Sequence, residues 1–203
     1  MKDFAYDVSS AVCMVQKWLA ELPEKTGRSV DQWIEFVKTQ GPAAEAERLA
    51  WLKAEFGLPT YTATWIAERC DGKGTENDFA ESNLKAAPLW VEAMFSSKKA
   101  PLRAVYDHLL PIVKRLGPDT RICPCKTIVP FYRNHVFAQV KPATNTRIDL
   151  GFALGQTPAT GRLIDTGGFA KKDRITHRIA LSSIEDIDEE ALRWLKIAYE
   201  RDA

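Results

Sequence analysis

The sequence is short of cysteine, of long apolar runs and of net charge, and each shortage removes a class of protein. Four cysteines (Cys13, Cys70, Cys123 and Cys125) in 203 residues are no disulfide framework and suit a reducing compartment. No stretch approaches the roughly 20 consecutive apolar residues a membrane-spanning helix needs. The first residues, Met1-Lys2-Asp3-Phe4-Ala5-Tyr6-Asp7, carry acids where a signal peptide needs a basic end and an apolar stretch. The expectation is a cytoplasmic protein with no membrane partner. Cys123-Pro124-Cys125 is one residue short of the redox spacing, and His108 and His135 complete no zinc pattern with it. No metal or cofactor is expected.

What is present is an ordinary globular composition, 45% hydrophobic and 27% charged, which excludes a mostly disordered chain. The net charge of +1 conceals a division. Residues 101–178 carry 13 Lys and Arg against five Asp and Glu, whereas the flanking segments are both net acidic. A local basic field recruits anionic partners even in a neutral chain.

Apolar residues first recur at helical spacing. Phe4, Val8, Val12, Val15, Leu19 and Leu22 predict a helix ending at Pro23. Ser29 and Gln32 form a capping-box pair that starts a second helix, stopped by Gly41-Pro42. A third runs from about Ala43 to Phe56 and a fourth follows Leu58-Pro59-Thr60. Residues 1–70 are therefore read as a helical domain and 71–83, with two glycines and no periodicity, as a linker. Residues 84–203 are read as an α+β domain, opening with helices over 84–95 and 101–116. The period then falls to two. Strands are expected over 127–132, 136–141, 147–152 and 175–181, with a glycine-rich connection over 155–173 and a last helix through Tyr199. The fold class is α+β: a helical N-terminal half, plus a four-stranded antiparallel sheet covered by helices on one face.

Strict alternation puts Val129, Phe131, Val136, Ala138, Val140, Ile148, Leu150 and Phe152 inward. The opposite face then presents Lys126, Tyr132, Phe137, Lys141, Arg147, Asp149 and Arg178, and the long connection adds Arg162 as part of a lid. Cations interleaved with aromatics suit a phosphate-bearing or stacked ligand. The same residues also suit a solvated sheet face, with Tyr132 and Phe137 as a cross-strand pair. His177 follows the inward parity of a core residue. The Gly57-Leu58-Pro59-Thr60 turn lacks the basic footprint of a DNA-reading helix pair.

Lys25-Thr26-Gly27-Arg28-Ser29, with Trp33, Ala50-Trp51-Leu52-Lys53 and Phe56-Gly57-Leu58, resembles a helical domain of bacterial proteins of unknown function. Pro101-Leu102-Arg103-Ala104-Val105-Tyr106, Lys141-Pro142-Ala143, Arg147-Ile148-Asp149-Leu150-Gly151, Thr160-Gly161-Arg162-Leu163 and Thr176-His177-Arg178 resemble a second domain of unknown function that often follows it. More loosely, the second is similar to YdhG-type and MmcQ/YjbR-type α+β domains. The resemblance implies a two-domain architecture and carries no activity with it.

The resulting expectation is a binding or accessory module, not an enzyme, whose basic sheet face takes nucleic acid or a phosphorylated small molecule. Two alternatives stand beside it. One is an enzyme with a pocket between that face and the 155–173 loop, which requires a buried carboxylate or histidine there. The other is an adaptor that binds a protein partner through Trp33, Trp51, Trp65 or Trp90 of the helical half.

Overall fold

The computed structural model describes residues 5–203. The chain divides into two compact units: Val8–Leu84, and the residues up to Asp7 together with Lys85–Ala203.

The helical unit contains α1 (Ser10–Thr26), α2 (Val30–Gln40), α3 (Glu45–Phe56) and α4 (Thr60–Cys70). Phe4, the first residue of the expected helical stripe, lies outside the described residues. α1 starts where Ser9 Oγ accepts from the Ala11 N–H (3.2 Å). It runs past Pro23 to Gly27, whose left-handed backbone (φ 77°) terminates it and whose N–H donates to Pro23 O (2.8 Å). The expected stop at Pro23 comes one turn early. Proline removes a donor from that turn, but its own carbonyl still serves the cap. In α2 both halves of the Ser29–Gln32 capping box form.

Trp33, Val37, Leu52, Ala63 and Ile66 are the buried centre of this unit. Fully burying Leu52 or Ile66 contributes about 2 kcal/mol each. Residues 71–83, read from the sequence as a linker, are tied into the unit. Asp78 is ion-paired with Arg69, Asn83 Oδ1 accepts from the Ser9 N–H (2.9 Å), and α5 (Ala80–Met94) already begins at Ala80. The division between units falls inside α5.

The C-terminal unit continues with a 3-10 turn (Ser97–Leu102) and α6 (Arg103–Lys114). The strands β1 (Arg121–Ile122), β2 (Val129–Tyr132), β3 (Val136–Pro142), β4 (Ile148–Phe152), β5 (Ile164–Asp165) and β6 (His177–Leu181) follow, and α7 (Glu189–Glu200) ends the unit. The sheet is antiparallel throughout, in the order β1-β2-β3-β4-β6-β5. It thus has six strands where four were expected. The four expected strands occupy the centre, and the additions are edge strands of two residues each, too short to show a period in sequence.

α6 and α7 cover one face. Val105, Leu109, Val113, Leu195 and Ala198 close over Phe131, Val140, Leu150, Phe152 and Ile179. Among the described residues no helix is long and apolar enough to cross a membrane.

Candidate functional site

The open face of the sheet is less available than its sequence suggested. Arg147 and Arg178 both turn onto Asp149, at 2.8 Å and 3.1 Å from its Oδ1, so two of the four expected cations answer the one acid. Lys141 stands opposite Asp149 in the β3–β4 register and is exposed. Tyr132 is half-buried, with the Arg121 guanidinium 5.4 Å above its ring.

Phe137 is not on this face at all. It is fully buried, with its ring 6.4 Å from Phe131 and edge-on to Tyr199 at 5.4 Å. The cause is a β-bulge: Phe131 pairs with Ala138 but Tyr132 pairs with Val136, leaving Phe137 as the extra residue. A bulge breaks the alternation, so Phe137 and Ala138 are both buried and Val136 is only half-buried.

Arg162 is likewise elsewhere. Its guanidinium meets Asp188 (2.6 Å), Asp186 (3.6 Å) and Glu190 (3.5 Å) at the N-terminal end of α7, where a helix dipole already gathers acids. Asp188 is the N-cap of α7. The Ala191 N–H first, and then Arg162, hold its carboxyl below the usual carboxylate range. Nearby Leu163 enters the core and β5 pairs with β6, so the middle of the 155–173 connection extends the sheet edge rather than lying over its face.

The two ends of that connection and the following Arg174 line a cavity of about 760 Å³, with Gly155, Phe169 and Lys172 on one side and Ala198 of α7 and the succeeding Arg201 and Asp202 also lining it. Asp202 is buried, but its oxygens are engaged. Arg174 (2.5 Å) and His135 Nδ1 (3.1 Å) meet Oδ1, and the His135 N–H donates to Oδ2 (2.7 Å). The carboxylate fastens the chain end to the β2–β3 turn. His177 is a satisfied core residue, bonded to the Thr176 hydroxyl and to Thr157 O, each at 2.8 Å. Burial pushes the Cys123 thiol up to about 12, far from the low value a reactive thiol needs. Among the described residues no three His, Cys, Asp or Glu side chains are grouped as a metal site would require.

Positive charge does converge at one end of the sheet. A cleft of about 650 Å³ is bounded by the end of α5, the 3-10 turn, the segment before β2 and the β3–β4 turn. Lys98, Lys99, Lys126 and Lys141 line it together with Ser96 and Ser97, and among the described residues no carboxylate does. The Lys99 ammonium donates to Pro142 O (2.7 Å), fixing the turn against the end of β3. Ser97 has a positive φ of 52°, costly for a residue with a side chain and found where function or tight packing imposes it. Two of the eight sequence-derived site residues, Lys126 and Lys141, meet here. Lys98 and Lys99 escaped notice because they belong to a helix connection about 40 residues before Lys141 in the chain. The one signal in sequence was a Ser-Ser-Lys-Lys run between two helices.

Residues 91–202 match the family described as Domain of unknown function (DUF5655), which covers more than half of the chain, and the chain belongs to that family. Residues 14–71 match a second, Domain of unknown function (DUF4287). The two-domain architecture expected from the sequence is therefore found. No curated protein and no solved structure matches the chain.

Proposed function

We propose that the C-terminal unit is a binding module for a phosphate-bearing partner, taken up in the lysine cleft. The observation that supports this reading is the convergence of Lys98, Lys99, Lys126 and Lys141 on one cleft, which among the described residues no acid lines. Four ammonium groups around one concave surface raise the local concentration of anions and suit phosphate oxygens as point charges. The arginines of the sheet face, turned onto Asp149, contribute less. These half-buried pairs orient β4 against β6 more than they attract a ligand. The module acts from the cytoplasm as an accessory to another activity, with nucleic acid or a phosphorylated small molecule as the partner.

Fluorescence anisotropy with a labelled single-stranded oligonucleotide, with ATP as competitor, tests this at low and moderate salt. Wild-type protein is expected to bind the oligonucleotide. Affinity should fall about 50-fold between 50 and 200 mM salt if all four lysines meet phosphates, from a slope of about −0.7 per contact. Competition by ATP at comparable occupancy assigns the cleft to a small phosphorylated ligand; its failure to compete assigns the cleft to the strand. No binding of either at low salt, or full binding by a Lys126→Glu/Lys141→Glu protein, overturns the proposal.

A further inference from the structure

The helical unit has a preformed cavity of its own, of different chemistry. A cleft of about 740 Å³ opens between the second half of α1, the α3–α4 turn and α4. Its wall is aromatic: Trp18 and Trp65 meet edge to face at 5.0 Å, and Tyr61 extends the row, edge-on to Trp65 at 5.7 Å. The rings are fixed by more than packing. The Trp18 indole N–H donates to Thr62 Oγ1 (3.3 Å) and the Trp33 indole N–H to Thr26 Oγ1 (2.8 Å), so these two indoles need little further ordering by a ligand. At the mouth stand Tyr61 and Met14, 53% and 63% exposed. Large apolar groups held open to water beside an apolar wall mark a contact surface.

The charge around the mouth selects the ligand further. Lys17, Lys25 and Arg28 line the cavity against a single carboxylate, Glu21. Glu21 is bonded to Lys25 (2.5 Å) and approached by Lys17 (3.7 Å), so it neutralises one of the three cations. Arg28 follows the left-handed Gly27 that ends α1, and its guanidinium lies over the rings of Trp33 (4.8 Å) and Phe36 (4.4 Å). The surplus positive charge repels a cationic ligand and attracts an anionic one. The volume falls within the roughly 300–1,000 Å³ typical of small-molecule sites.

We propose that this cavity binds a small planar aromatic anion, an aryl carboxylate or sulfonate. Its ring lies against Trp18, Tyr61 and Trp65, and its acidic group is directed to Arg28, while Lys25 stays with Glu21. The site is independent of the lysine cleft and calls for a different class of ligand. Both sides of the match come from the same short stretch of chain: the Lys25-Thr26-Gly27-Arg28 turn supplies Arg28 and, through Thr26, an anchor for the buried indole of Trp33.

Isothermal titration of the full chain with naphthoate, naphthalenemethanol and naphthylmethylamine tests ring and charge separately. Naphthoate is expected to bind most tightly and the amine least. Arg28→Gln should weaken naphthoate about threefold, one charge contact, and leave the alcohol unchanged. Tyr61→Ala should weaken both about tenfold; because Tyr61 is exposed, circular dichroism of this variant should match wild type. No saturable binding of naphthoate, equal affinities for the three probes, or undiminished binding by Tyr61→Ala overturns the proposal. So does self-association of wild-type chain that Tyr61→Ala abolishes, since that assigns the cavity to a second copy.

Discussion

The lysine cleft and the aromatic cavity have similar volumes, about 650 and 740 Å³, and both carry surplus positive charge, yet they are built in opposite ways. The first is built at the junction of turns, with charge on all sides and little ring surface. The second is built between helices, with rings inside and charge confined to the mouth. The difference separates two kinds of surface within one chain. Long, flexible lysine stems on turns supply an electrostatic field that depends on ionic strength. Indoles anchored by hydrogen bonds supply a shaped surface that does not.

The comparison can be broken at several points. The largest effect is expected from Phe137→Ala, which should cost about 3–5 kcal/mol in denaturant unfolding because the ring is fully buried between Phe131 and Tyr199. Phe137→Leu should leave oligonucleotide binding intact. A loss of binding by a well-folded Phe137→Leu protein would return this ring to the ligand surface. Next, raising salt from 50 to 200 mM should weaken the oligonucleotide by the about 50-fold given above and naphthoate only slightly. Equal salt responses would erase the distinction between the two sites.

A smaller effect is expected from Asp188→Ala, which removes the N-cap of α7 at about 1 kcal/mol. Since the folded carboxyl titrates below its ordinary value, its stabilisation is complete above the unfolded carboxylate pKa. It fades as pH falls through the lower folded value. Thermal melts of wild type and Asp188→Ala should therefore converge in strong acid; a gap that stays constant with pH would contradict the ionised-cap account. The smallest readout is chemical. Buried Cys123 should react with iodoacetamide at pH 8 far more slowly than exposed Cys13, as peptide mass spectrometry after alkylation would show. Rapid labelling of Cys123 would mean that the β1 edge opens.

Most of the framework was legible in sequence because its signals are local. The Ser29–Gln32 capping box, the Gly57 stop of α3 and the four central strands each lie within a few residues of the pattern that announces them. What was hidden depends on partners far away in the chain. The bulge at Phe137 is a mismatch between two strands, invisible to the alternation of one. The six-stranded width needed Ile122 and Ile164 to find edges that only the folded sheet offers. The candidate cleft was half legible for the same reason. Residue types identified Lys126 and Lys141, but only folding brings Lys98 and Lys99 beside them and turns Arg147 and Arg178 toward Asp149. The cavity of the helical unit was present as tryptophans without a shape. Trp33 is buried, while Trp51 and Trp65 are half-buried, and Trp90, half-buried as well, belongs to the C-terminal unit.

The two strands that sequence could not announce also set how the protein behaves in a crowded solution. A sheet that ended on β2 and β6 would present longer rows of unpaired backbone groups, a ready template for another chain. Here both margins are strands of only two residues, Arg121–Ile122 and Ile164–Asp165, each with a charged member exposed to water. Such margins offer too few consecutive donors and acceptors to seed a further strand, and the charges make a mismatched addition costly. The sheet is thereby guarded against edge-to-edge aggregation at the concentrations a cell or a purification imposes.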